Sequence, residues 1–97
     1  MNHAYHPAAE IELLEALRYY REIDHSLGTD LFHKINRMIT DIKSNPGMFR
    51  LREGNYRRAN LERFPFYLPY ITEGNILFII AIAHNARHPD YWKKRIS

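Results

Sequence analysis

The residues best suited to chemistry lie in the second half of the chain, and they are mostly cationic or phenolic. Arg50, Arg52, Arg57, Arg58 and Arg63 fall in a stretch that holds two glutamates, Glu53 and Glu62. Arg87, Lys93, Lys94 and Arg95 follow in the tail, where Asp90 is the one side-chain carboxylate after position 73. His84, His88 and Tyr91 stand among them. Converging guanidinium groups can neutralise a phosphate or grip a partner's carboxylates. Such a surface suits an acidic partner, nucleic acid or protein.

Several other chemistries find no support. The chain has no cysteine, which excludes disulfides, thiolate zinc sites and a thiol nucleophile. Six histidines include a pair four apart, His84 and His88, and a pair three apart, His3 and His6. No cysteine or helical carboxylate motif completes either pair, so no metal is expected. His84 reads instead as a cap on the last strand. Ser26, Ser44 and Ser97 lack a nucleophile-elbow context. No glycine-rich phosphate loop is present, and no cofactor is expected. The formal charge of +3 and pI near 9.3 favour an acidic partner, either nucleic acid or protein. Plainer roles also exist for the same side chains. The arginines from 50 to 63 could solvate a sheet face, Arg87 could pair with Asp90, and Trp92 could cover the sheet edge.

Elements to position these groups are legible along the chain. Its 97 residues suit one domain, 1–97. No apolar run is long enough to cross a membrane, and the first residues lack signal-peptide character, so a cytoplasmic protein is expected. A short strand up to His6 precedes Pro7, which opens a helix where its missing N–H costs nothing. Ile11, Leu14, Leu17 and Tyr20, with Leu13, predict a helical stripe running to about His25. Leu27-Gly28-Thr29-Asp30 reads as a stop and restart, with Gly28 closing one helix and Thr29 or Asp30 capping the next. Leu31, Ile35, Met38 and Ile42, flanked by Phe32 and Ile39, form a second stripe, which ends at Asn45-Pro46-Gly47. Strands are then expected at 56–61, 66–72 and 76–83, with a turn at Glu73-Gly74-Asn75. The apolar run Ile76 to Ala83 reads as one central strand. Pro69 cannot donate within a ladder and signals an edge or a bulge. The fold class is therefore α+β. An N-terminal strand and an antiparallel helical hairpin precede a three-stranded, antiparallel-rich sheet.

Over essentially its whole length this pattern resembles the RelE/ParE toxin superfamily, the toxins of bacterial type II toxin–antitoxin systems. The matching pieces include His6-Pro7, Tyr19-Tyr20, Leu27-Gly28, Phe32 and Asn45-Pro46-Gly47. More specific are Leu61-Glu62-Arg63-Phe64-Pro65-Phe66 and the exit Ala81-Ile82-Ala83-His84-Asn85-Ala86-Arg87-His88-Pro89-Asp90-Tyr91-Trp92. The resemblance implies a growth-inhibiting, plasmid-stabilisation-like toxin neutralised by a cognate antitoxin. That antitoxin is expected to be acidic and partly disordered. Targets divide the superfamily: RelE-like toxins cut mRNA on the ribosome, whereas ParE-like toxins bind DNA gyrase. Compared with the nuclease branch, Arg58 falls on one basic position of the hairpin, but Asn60 and Tyr67 fall where further cations are expected. Asn85 falls on an arginine position with Arg87 two residues on, and Tyr91 matches a C-terminal tyrosine. A RelE-like site would use Arg58, Arg87, His88 and Tyr91. The missing cations point to the ParE-like branch, in which Arg57, Arg58, Arg63, Arg87, Tyr91, Trp92 and Arg95 would hold the antitoxin or target. A RelE-like endoribonuclease is the alternative, and an inactive antitoxin-binding module is a second one.

Overall fold

In the computed structural model, which describes residues 1–96, a helical hairpin packs on one face of a mixed sheet. Strand β1 spans Asn2–Tyr5, helix α1 Pro7–Ile23 and helix α2 His25–Ser44. Strands β2 (Leu51–Arg52), β3 (Tyr56–Asn60), β4 (Phe66–Glu73), β5 (Ile76–Ile79) and β6 (Ala83–His84) follow, and helix α3 (Asp90–Lys93) lies near the C-terminus. The sheet order is β1-β5-β4-β3-β2, with β6 also pairing β4. Only β1 runs parallel to its neighbour, β5. The expected α+β class is observed and the expected elements appear in order, with α3 added and with β2 and β6 joining the three strands expected after the hairpin in a six-stranded sheet.

The helical junction is tighter than the sequence predicts. One extended residue, Asp24, separates the helices and caps α2 by accepting the Ser26 N–H at 2.9 Å. Gly28 lies inside α2 and closes nothing. Any Cβ placed there would sit 2.9 Å from Arg21 Cβ, so the glycine permits close approach of the two helices. The α1 stripe is also rotated from its expected phase. Ile11 and Leu14 are exposed, while Ala9, Leu13, Ala16, Leu17 and Tyr20 face the protein. Two small alanines on the inner face bring the helix in close and leave the bulkier flank outside. On α2, Leu31, Ile35, Ile39 and Ile42 are buried, and Phe32 points outward.

Strand β4 occupies the middle of the sheet, with side chains alternating between two cores. Leu68 and Tyr70 face the helices, while Tyr67 meets a second cluster with Tyr56, Ile80, Ala81, Ala83 and Trp92. The 76–83 run is interior, between β1 and β4, and it is broken. Three steps separate Tyr67 from Tyr70, whereas four separate their partners Ala83 and Ile79. The extra residue is a β-bulge, and it places both Ile80 and Ala81 in the outer cluster. Pro69 lies directly across from this bulge in the central strand, not at an edge. Its carbonyl accepts the Ile80 N–H at 2.9 Å, but proline has no N–H to return.

The orphaned backbone groups find side-chain partners. Arg95 Nη1 donates to the Ile80 carbonyl at 3.1 Å, and the Ile82 N–H donates to Glu12 Oε1 at 3.1 Å. Arg95 and Glu12 also join bidentately, at 3.0 and 2.9 Å. One ion pair thus ties α1, the bulge and the C-terminal segment together.

Candidate functional site

The side chains singled out from the sequence separate into three places. On the sheet face away from the helices, β3 and β4 carry Arg58, Asn60 and Tyr67. Alternation along β3 sends Arg58 to this side and Ala59 to the helical core. The Arg58 guanidinium lies 3.6 Å above the centre of the Tyr67 ring, and its Nε donates to Asn60 Oδ1 at 2.9 Å. The Tyr67 hydroxyl accepts the Trp92 indole N–H at 2.8 Å. Trp92, only 1% exposed, sits edge-on against Tyr56 and Tyr67. It covers the face of the sheet, where the sequence reading expected it at the edge.

A second group gathers where the C-terminal segment meets α1. Arg87 stacks on Tyr91 at 3.6 Å, and Arg95 lies 5.2 Å from the same ring. Burial, followed by the nearby Glu12 carboxylate, pushes the Tyr91 phenol up to about 12, against the opposing pull of Arg87 and Arg95. A groove of about 380 Å³ opens beside this group, lined by Glu12, Glu15, Ala16, Tyr19, Tyr20, Phe66, Ile82, His84, Arg87 and Tyr91. Arg87 lines it, stacked on the Tyr91 ring, and its expected partner Asp90 contacts His88 and Lys93 instead. His88 is exposed, and its Nδ1 accepts the Asp90 N–H at 3.2 Å. His84 ends β6 and accepts the Ala86 N–H at 3.0 Å, which is the capping role expected of it.

Arg57 and Arg63 stand apart from both groups. Arg57 alternates to the helical side of the sheet and donates to the Phe49 carbonyl at 2.6 Å. Arg63 lies in the β3–β4 loop with φ of 71° and approaches Asp30 of α2 at 3.7 Å. Arg95, 14% exposed, is engaged by Glu12. Glu12 had no signal in the sequence, since its partner is 83 positions away and its helical neighbours look like ordinary solvent-facing acids. Among the described residues, no cluster of three or more histidines and carboxylates could hold a metal. Likewise, no helix among them is long and apolar enough to cross a membrane.

Tyr67 is buried and accepts a hydrogen bond, and Arg58 is stacked upon it. Tyr91 holds its proton tightly. The outer face thus presents Arg58 above buried aromatic rings, and the groove beside α1 presents Arg87 and Tyr91.

No protein-family model matches the chain, and no curated protein sequence matches it either. Among solved structures, it is similar to a chain of the chromosomal ParDE TA system from P. aeruginosa. The two share 20% identity at a TM-score of 0.72, covering 87% of this chain and 95% of that one. The chain has the fold of that ParDE-system chain. The expected α+β architecture is therefore observed, from the leading strand through the helical hairpin to the sheet.

Proposed function

We propose that this protein is the toxin of a bacterial type II toxin–antitoxin pair, acting in the cytoplasm by binding DNA gyrase and neutralised by a cognate antitoxin. The observation that carries this reading is the Trp92–Tyr67–Arg58 stack on the outer sheet face. A phosphorane needs converging cations, and one oxyanion donor alone contributes about 3–4 kcal/mol. Here a phenol and an indole fill the face beside Arg58, where further cations would be needed. The fold shared with a chain of a ParDE TA system supports the same branch. An acidic, partly disordered antitoxin segment would order on binding, its carboxylates meeting Arg58, Arg63 and Arg87. Arg57 is engaged by the Phe49 carbonyl and Arg95 chiefly by Glu12, and Trp92 covers the outer face.

The test has two arms run on the purified protein. Supercoiling by purified gyrase should fall, and mRNA on programmed ribosomes should remain intact. Cutting in the ribosomal A site, abolished by Arg87→Ala or Tyr91→Phe, would assign the protein to the endoribonuclease branch instead. An effect in neither arm, with antitoxin binding retained, would identify an inactive binding module.

A further inference from the structure

The outer flank of α2 carries a groove of which the toxin reading uses Arg63 alone. Its volume is about 810 Å³, and α2 and the β3–β4 loop bound it. Lys34 and Arg37 lie one turn apart on α2, and Arg63 faces them from the loop. His33, Asn36 and Thr40 add hydrogen-bonding groups, and Asp30 is the one carboxylate in the lining. Three cations against one acid leave a formal charge of +2. Lys34 and Arg37 make no ion pair within 4 Å among the described residues, although Asp30 and Asp41 stand one helical turn from them. Arg63 pairs loosely with Asp30 while both side chains stay about half exposed. Such a pair contributes at most about 1 kcal/mol and can yield to a ligand. Arg63 is also held at a positive φ, which a non-glycine residue adopts only under constraint.

The make-up of the groove decides what it fits. Protein partners bind through a dry apolar or aromatic centre, and the one ring in this lining is the imidazole of exposed His33. Lysine, arginine, asparagine and threonine are the side chains that contact phosphate oxygens. Single strands are held by stacking successive bases on a series of aromatic rings, and the groove offers His33 alone. Duplex RNA presents similar phosphates together with 2′-hydroxyls, and the experiment below separates it from duplex DNA. We propose that this groove binds the phosphate backbone of duplex DNA, without regard to sequence. The site lies on the flank of α2, distinct from the outer sheet face, so the protein could hold a protein target and the DNA beside it together. The inference does not depend on gyrase being that target.

The experiment is fluorescence anisotropy of a labelled 20-base-pair DNA duplex with the full chain, repeated across a salt series. Each phosphate neutralised contributes about −0.9 to the slope of log K against log salt. The double variant Lys34→Ala, Arg37→Ala should therefore reduce the slope by about 1.8, and Arg18→Ala, on exposed α1, should leave it unchanged. Circular dichroism confirms that each variant is folded. The proposal is overturned by an unchanged slope in the double variant. It is also overturned by tighter binding to a single strand or duplex RNA of equal length, or by displacement with poly-glutamate at equal charge. Loss of DNA binding alongside retained gyrase inhibition would confirm two separate surfaces. A failure here therefore leaves the toxin reading standing.

Discussion

Removing Arg95 should cost more stability than an ordinary ion pair would, because it deprives a carboxylate and a backbone carbonyl of their partner at once. Its guanidinium serves both oxygens of Glu12 and the Ile80 carbonyl. The two side chains are 14% and 16% exposed, so water replaces little of what is lost. Breaking one partner of a buried pair costs about 3–5 kcal/mol. Residual exposure of Glu12 lowers this toward about 3 kcal/mol for Arg95→Met, or roughly 12–24 °C in Tm for a domain of this size. Trp92 is the only tryptophan and is buried in the outer cluster, so its fluorescence in urea reports the loss directly.

The double variant Glu12→Leu, Arg95→Met separates two explanations. A simple buried ion pair replaced by apolar groups is often neutral or even stabilising. Here the Ile80 carbonyl and the Ile82 N–H would remain unpartnered, at about 1–3 kcal/mol each. The double variant should therefore stay at least about 2 kcal/mol below wild type. Pro69→Ala restores a backbone N–H opposite Ile80, so it should recover about 1 kcal/mol in the Arg95→Met background and less in wild type. Full recovery in the double variant, or a loss below 1 kcal/mol in Arg95→Met, would refute the assignment of this pair to the bulge.

Other outcomes follow from the same geometry. Tyr91 keeps its proton to about pH 12, above its ordinary value of 10.0, so its stabilising contribution is complete below pH 10 and is lost as pH rises through 12. Tyr91→Phe should remove this alkaline component from a stability–pH profile and delete the latest step from a tyrosinate absorbance titration. Gly28→Ala gains about 1 kcal/mol of helix propensity but meets Arg21 at 2.9 Å, so urea denaturation should show a net loss of about 1–2 kcal/mol. Hydrogen bonds from Ser26 hold the Asp24 carboxyl below its ordinary 3.8, so the cap acts above that range and fades as pH falls through the lowered value. Asp24→Ala should lower Tm at pH 7 while Asp24→Asn largely retains it. Arg58→Glu should weaken antitoxin binding, and raising salt should weaken the wild-type complex, both read by calorimetry.

Much of the architecture was legible because it rests on local rules. Pro7 marked the first helix, and the apolar spacing of Leu31, Ile35, Ile39 and Ile42 marked the second. Gly74, at φ of 59°, marked the β4–β5 turn. Pro69 announced a bulge because a missing donor in a ladder must be compensated somewhere. The errors arose where a local rule has two solutions. Gly28 could end a helix or admit a neighbour, and only the approach of Arg21 selects the second. The stripe on α1 could be read through Ile11 and Leu14 or through Ala9 and Ala16. Packing distance, which propensity does not encode, chose the alanines.

The candidate site was legible by residue type but not by grouping, and the reason is sequence separation. Arg58, Arg63 and Arg57 look like one basic run, yet strand alternation and a loop send them to three different surfaces. Glu12 and Arg95 look unrelated, yet they meet across 83 positions because a proline in β4 leaves a carbonyl to be satisfied. That link has a functional consequence. Arg95 anchors the C-terminal segment that carries Arg87 and Tyr91, so the pair that repairs the sheet also fixes the surface proposed to bind. On that proposal rigidity matters, since loose side chains lose affinity to ordering. Arg95 would then act by positioning the surface, and its loss should weaken target binding even in the fraction that remains folded.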